Sequence, residues 1–167
     1  SNAYILGKFT EWGLDEVEIF ENPTATNRYY LQTWEVAVEG YNFYATWPCR
    51  WSPAGEVEGK LVYVGKGTSA PDYAGKNVTG KIVLADGSAS SVYRQAVTTR
   101  GAKGILTDSP NIAGSYTTWA PCASISFGST RPGITISYTD GQNLKTLLSS
   151  GDVTVRINVE AEAMYNT

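Results

Sequence analysis

The stretch VTGKIVLADGSASSVYRQAVTTRGAKGILTD, Val78 to Asp108, decides how the chain folds. Lys81 to Ala85 is a short apolar run opened by Gly80 and closed by Asp86-Gly87. Its length and β-branched content suit a buried strand. A helix is predicted next. Ser90 or Ser91 can cap it, Val92, Tyr93, Ala96 and Val97 share one face, and Gly101 stands where a left-handed C-terminal cap is wanted. Gly104 to Asp108 then supplies a second strand. A helix of about three turns between two such strands implies a right-handed crossover and a parallel pair.

Working outward, Lys60 to Val64 reads as another strand, and Ile134 to Tyr138 as one more, followed by a short helix capped by Asp140. Leu144, Leu147 and Leu148 fall on one side of that helix and Gly151 ends it. Val153, Val155, Ile157 and Val159 alternate strictly with Thr154, Arg156, Asn158 and Glu160, the pattern of a strand with one buried face. Upstream, Trp34 to Ala45 reads as extended, broken or bulged at Gly40. Residues 4 to 34 are more acidic; LDEVEIF alternates like a strand, and Tyr29 to Thr33 can pair back on it as a hairpin. Ser1-Asn2-Ala3 reads as an expression-tag remnant.

Composition narrows the function. With 167 residues, 17 glycines and 7 prolines, the chain suits one strand-rich domain with a flank. A net charge of −3 offers no phosphate-binding surface, so nucleic acid is not an expected partner, and no apolar run is long enough to span a membrane. Histidine is absent from the whole sequence, which removes the Ser-His-Asp triad, the Cys-His pair and the usual mixed-ligand catalytic zinc site. The run GKNVTGK, Gly75 to Lys81, has phosphate-loop spacing but is followed by Ile82 and a strand, so no helix N-terminus is available to hold a phosphate.

Four features remain as candidate sites. Cys49 and Cys122 each follow a proline in loop-like sequence, WPCRW and APCAS, and are expected to form a disulfide if those loops share an edge. Such a bond would stabilise the fold by roughly 4 kcal/mol and place the protein outside the reducing cytosol. Trp47, Trp51, Tyr116 and Trp119 lie in the same loops as a candidate interaction surface; rings of this kind stack on sugars, anchor a partner, or cover the end of a small barrel, with packing the preferred reading. Asn77-Val78-Thr79 is a glycosylation sequon. Asp86-Gly87-Ser88 lies at the end of a parallel strand, where ligands bind, but with no base or oxyanion partner for Ser88 it is read as a tight turn plus helix cap.

The order GEVEGKLVYVGKG, DYAGKNVTGKIVLADG, AVTTRGAKGILTD and PGITISYTDGQNLKTLLSSG resembles the protease-associated (PA) domain, in particular the one inserted in secreted zinc aminopeptidases of the aminopeptidase Y and transferrin-receptor type. The likeness runs over roughly residues 36 to 160. It implies an α+β, strand-rich barrel or sandwich of the swivelling β/β/α type with two or three short helices. It divides the chain into a tag remnant (1–3), a flank or linker to a catalytic domain (4–34), the PA domain (35–162) and a tail (163–167). It further implies a non-catalytic accessory domain with no cofactor of its own, zinc belonging only to a parent peptidase. As a lid or docking surface, its partners would be peptide or protein segments and the adjacent peptidase domain, in a secreted, periplasmic or cell-surface setting. The alternative is a carbohydrate-binding or adhesion module that uses the loop aromatics.

Overall fold

A computed structural model describes residues 2–13, 27–108 and 118–165. Two compact units are present, residues 1–28 with 164–167, and residues 29–163. The first contains helix α1 (Asn2–Glu11), which carries an exposed Lys8–Glu11 ion pair at 2.6 Å. The strand expected in LDEVEIF lies outside the described residues.

The second unit is built on seven strands. These are β1 (Asn27–Val38), β2 (Thr46–Pro48), β3 (Gly55–Tyr63), β4 (Ile82–Ala85), β5 (Gly104–Thr107), β6 (Gly133–Ile136) and β7 (Thr154–Tyr165), in the spatial order β1-β7-β3-β4-β5-β6-β2. Strands β3 to β6 run parallel, β2 is antiparallel to β6, and β7 is antiparallel to β3. Strand β3 turns the sheet, because Gly55 to Lys60 pair with β7 whereas Leu61 to Tyr63 pair with β4. Gly59 sits at that switch, and a Cβ there would lie 3.3 Å from the Gly80 carbonyl oxygen. The two outermost strands are tied by Trp34, whose indole N–H donates to the Thr46 carbonyl and hydroxyl at 3.2 and 3.0 Å. The result is the expected strand-rich α+β architecture, a nearly closed barrel-like sheet with a few short helices.

The opening stretch folds as its pattern requires. Strands β4 and β5 pair in parallel, Ile82 to Ala85 against Gly104 to Thr107, and both are buried along their whole length. A parallel strand covered on both faces has no polar alternation to keep, hence the continuous apolar run. Helix α2 (Ala89–Tyr93) continues as a π-turn over Arg94–Thr98, and Val92, Tyr93, Ala96 and Val97 are all buried. Gly101 has φ 69° and its N–H donates to the Val97 carbonyl, the left-handed cap anticipated. The cap at the other end differs: the helix starts from Ser88, not Ser90 or Ser91. Gly87 is buried, and a side chain there would overlap the Lys66 carbonyl and the Thr68 methyl. The backbone at this turn is therefore packed against another segment.

Side chains of β4 and β5 divide between two cores. Val83, Ala85 and Ile105 join α2, Val64, Val78 and Ile125 on one face. Ile82, Leu84 and Leu106 meet Ile134, Ile136, Leu144, Val155 and Ile157 on the other. Helix α3 (Tyr138–Ser150) is capped by Ser137, whose Oγ accepts from the Asp140 N–H at 3.1 Å. Asp140, expected as the cap, is instead an anchor. Fully buried, its carboxylate accepts from the Tyr41 hydroxyl (2.6 Å), the Tyr44 N–H (2.9 Å), the Ala45 N–H (3.1 Å) and the Ser137 hydroxyl (2.5 Å).

Two other expectations change. The extended reading of Trp34 to Ala45 breaks sooner than expected: β1 ends at Val38, Gly40 takes φ 72°, and a tight turn bridges Val38 to Tyr41. Tyr29 to Thr33 lie within that same long strand, beside β7 in the sheet.

Candidate site at the ends of the parallel strands

Parallel strands deliver their C-terminal residues to one edge, and here that edge is polar. Tyr63 ends β3, Asp86 follows β4 and Asp108 follows β5. Helix α3 passes over them and contributes Tyr138, Gln142 and Lys145, one turn apart on one side. Together these six residues line an open crevice of about 390 Å³. Gly141 makes the approach feasible, since a Cβ there would lie 2.6 Å from Asp108 Oδ2.

The charges inside the crevice are unevenly matched. Lys145 Nζ lies 2.6 Å from Asp86 Oδ1 and 3.9 Å from Asp108 Oδ2, so its ammonium is held chiefly by Asp86. The Tyr63 hydroxyl donates to Asp86 Oδ2 at 2.5 Å, and Lys145 also sits 4.9 Å from the Tyr63 ring centre. Burial, assisted by the Asp86 bond, holds the Tyr63 hydroxyl well above its ordinary range. Asp108 is only 3% exposed, and its Oδ1 accepts no hydrogen bond among the described residues. Loss of hydration pushes its carboxyl up from 3.8 to about 6, Asp86 adds to the rise, and Lys145 and its own backbone N–H oppose it. No histidine is available, and the two carboxylates share an ammonium, which is not a zinc donor set.

The aromatic loops also come together. Arg50 bridges Ser124, with its N–H donating to the Ala123 carbonyl and its own carbonyl accepting from Ile125. The Thr135 hydroxyl contacts the carbonyls of both Trp47 and Pro121. Segments WPCRW and APCAS therefore do share an edge, yet the expected disulfide is not formed and both cysteines are free thiols. Cys49 points into the core beside Ile125 and Gly133 while Cys122 is exposed. Burial, with a smaller push from Cys122, raises the Cys49 thiol to about 12.

Trp51 is half-buried, with φ 74°, and its ring meets Phe127 edge-on at 5.1 Å and Tyr29 at 5.7 Å. Trp47 packs its edge on Trp34 at 4.8 Å but stays 43% exposed, and Trp119 is 59% exposed. Tyr116 lies outside the described residues. Asn77 is in an exposed turn, where its side-chain oxygen accepts from the Thr79 N–H at 3.1 Å.

Sequence reasoning reached Asp86 but stopped there. The signal it could have used is that two adjacent parallel strands, LADG and LTD, both end in aspartate, which places the two carboxylates on one sheet edge. Lys145, Tyr138 and Gln142 were not accessible in that way, because the docking of α3 over the edge is a tertiary fact.

No family model matches the chain, and no curated protein matches it. Solved structures do. An aminopeptidase from Aneurinibacillus sp. strain AM-1 superposes with a TM-score of 0.67 at 24% identity, over 97% of this chain and 38% of the other. A peptidase M28 precursor from Shewanella amazonensis SB2B gives 0.60 at 16% identity, over 99% and 42%. A subtilisin-like protease, Apa1, from Pseudoalteromonas sp. AS-11 gives 0.51 at 18% identity, over 85% and 34%. The likeness is one of fold, and this chain spans about two-fifths or less of each of these structures.

Proposed function

We propose that the chain is a non-catalytic accessory domain of the PA type, a lid or docking surface for peptide segments beside the catalytic domain of a peptidase. The observation that carries this reading is the recurrence of its fold inside longer chains described as an aminopeptidase in one case and a subtilisin-like protease in another. A fold common to such different peptidases is better read as a shared accessory than as the seat of either chemistry. A zinc-dependent aminopeptidase is the preferred parent, in line with the Bacillus subtilis zinc aminopeptidase that superposes at a TM-score of 0.60 and 16% identity over 38% of its length. Zinc would then belong to the parent's catalytic domain. This reading favours a secreted, periplasmic or cell-surface location, and the description of one structurally similar peptidase as a precursor supports it.

On this reading the docking face includes Trp47 of β2 and Trp119 of the segment before β6, both with exposed ring surface, while Trp51 packs against Tyr29 and Phe127. Large, stiff rings of this kind supply contact area at low entropic cost. They also motivate the alternative, a carbohydrate-binding module. A peptide library and a glycan array applied to the same protein separate the two. Peptide binding lost on Trp47→Ala or Trp119→Ala supports docking; glycan binding lost on the same changes replaces it with the carbohydrate reading.

A further inference from the structure

The strand-end crevice contains an acceptor without a donor. Asp108 Oδ1 is buried, accepts nothing among the described residues, and belongs to a side chain that lines the crevice. A buried carboxylate oxygen left unpaired costs free energy that a bound donor would recover. The nearest cation does not fill the role, since Lys145 is drawn 2.6 Å from Asp86 and stays 3.9 Å from the other Asp108 oxygen. Two carboxylates against one ammonium leave the crevice a net negative charge. Beside Asp108 in the crevice stand the exposed Tyr138 ring and the Gln142 side chain, and an aromatic face beside a carboxylate suits a cation better than a neutral donor.

We propose that this crevice binds a primary ammonium group of a peptide, with Asp108 accepting its N–H and Tyr138 and Gln142 flanking it. This names the part of a peptide that a docking domain would hold, and so it rests on the accessory reading above. An α-amino terminus and a lysine side chain share the required chemistry. Lys145 acts as the resident ammonium that holds Asp86 in place and leaves Asp108 to the incoming group. Gly141 is a positioning residue, because any side chain there would collide with the Asp108 carboxylate.

The test is two-dimensional NMR on the 167-residue chain, titrated with tetra-alanine amide, with its N-acetylated form, and with acetylated Ala-Lys-Ala amide. The expected result is that an amine-bearing peptide shifts the resonances of Asp108, Tyr138 and Gln142. Shifts from tetra-alanine amide identify the amino terminus as the source, and shifts from the lysine peptide identify the side chain. Acetylated tetra-alanine should leave these resonances in place. Asp108→Asn should weaken binding about tenfold or more, as loss of a charge-assisted hydrogen bond implies. Should that variant fail to fold, the wild-type chain supplies the same test, since capture should fall as pH drops through about 6 and Asp108 takes up a proton. Asp86, Lys145, Tyr63 and Tyr138 are the other titratable groups facing the carboxylate, and of these Asp86 carries the ion pair that the same experiment monitors through the Lys145 resonances.

Unmoved crevice resonances with both amines, equal affinity in Asp108→Asn, or pH-independent capture each overturns the proposal. If peptides instead shift Trp47 and Trp119 alone, whether acetylated or not, the docking reading survives and the ammonium site does not.

Discussion

Replacing Asp140 by alanine should be among the most damaging single changes in the chain. The carboxylate is fully buried and accepts from two backbone amides, a tyrosine hydroxyl and a serine hydroxyl. These donors come from two places, the 41–45 segment that leads into β2 and the Ser137 cap of α3. Truncation leaves partly buried donors without an acceptor and a cavity where the carboxylate stood. Hydrogen bonds to a charged acceptor contribute about 1.5–3 kcal/mol each but are far from additive, so the expected loss is about 3–5 kcal/mol. For a unit of this size that lowers Tm by about 10 °C or more. Ser137→Ala removes only the cap and should cost about 1 kcal/mol. Urea unfolding of the two variants beside wild type measures the ratio directly. An Asp140→Ala loss no larger than that of Ser137→Ala would refute the anchor role. Asp140→Asn, which keeps the shape but turns an amide N–H₂ toward donors, should fall between them.

Four further outcomes rest on particular contacts. Gly87→Ala should cost about 3 kcal/mol from overpacking, because its Cβ would overlap the Lys66 carbonyl and the Thr68 methyl; a chemical-denaturation midpoint close to wild type would show that the turn can relax. Asp108, raised from 3.8 to about 6, holds more protons in the native than in the unfolded state between those values. Its contribution therefore becomes less favourable as pH rises from about 4 to about 6, and is constant above. Asp108→Asn should gain on wild type over that window by about 2 kcal/mol, and a difference that does not change between pH 4 and pH 7 contradicts the assignment. Lys145→Met should move the Asp108 midpoint higher still, readable by carboxyl NMR, since the ammonium lowers it now. Finally, an alkylating reagent at neutral pH should label exposed Cys122 and spare buried Cys49 until the protein unfolds; labelling of both at one rate would place the Cys49 thiol elsewhere.

The parallel unit at the centre of the fold was readable because every local signal agreed. An apolar run too short for a helix, four apolar side chains at helical spacing, and a glycine in the left-handed cap all specify one arrangement of Lys81 to Asp108. Strict alternation did the same for Val153 to Val159. What local pattern could not supply was contact between distant segments. Asp140 looks like a cap in sequence, and only the approach of Tyr41, Tyr44 and Ala45 makes it an anchor. Gly40 signals a break, but not that β1 reaches back to Asn27 and lies beside β7. For the site, the proline-flanked cysteines left open whether their two loops share an edge; the loops do, yet the expected disulfide is absent because Cys49 is buried in the core and Cys122 is exposed. The crevice was half visible: Asp86 and Asp108 close adjacent strands, while the lysine that Asp86 chiefly holds comes from a helix more than thirty residues downstream of Asp108.

We propose that this fold serves a peptidase without performing its chemistry. The most direct measurement is hydrolysis of an aminoacyl anilide, and of a short peptide, by the purified 167-residue chain with zinc supplied. No turnover above the buffer blank is expected under any metal condition, alongside binding of the peptide. Zinc-dependent release of the anilide, or cleavage of the peptide by these residues alone, would contradict it.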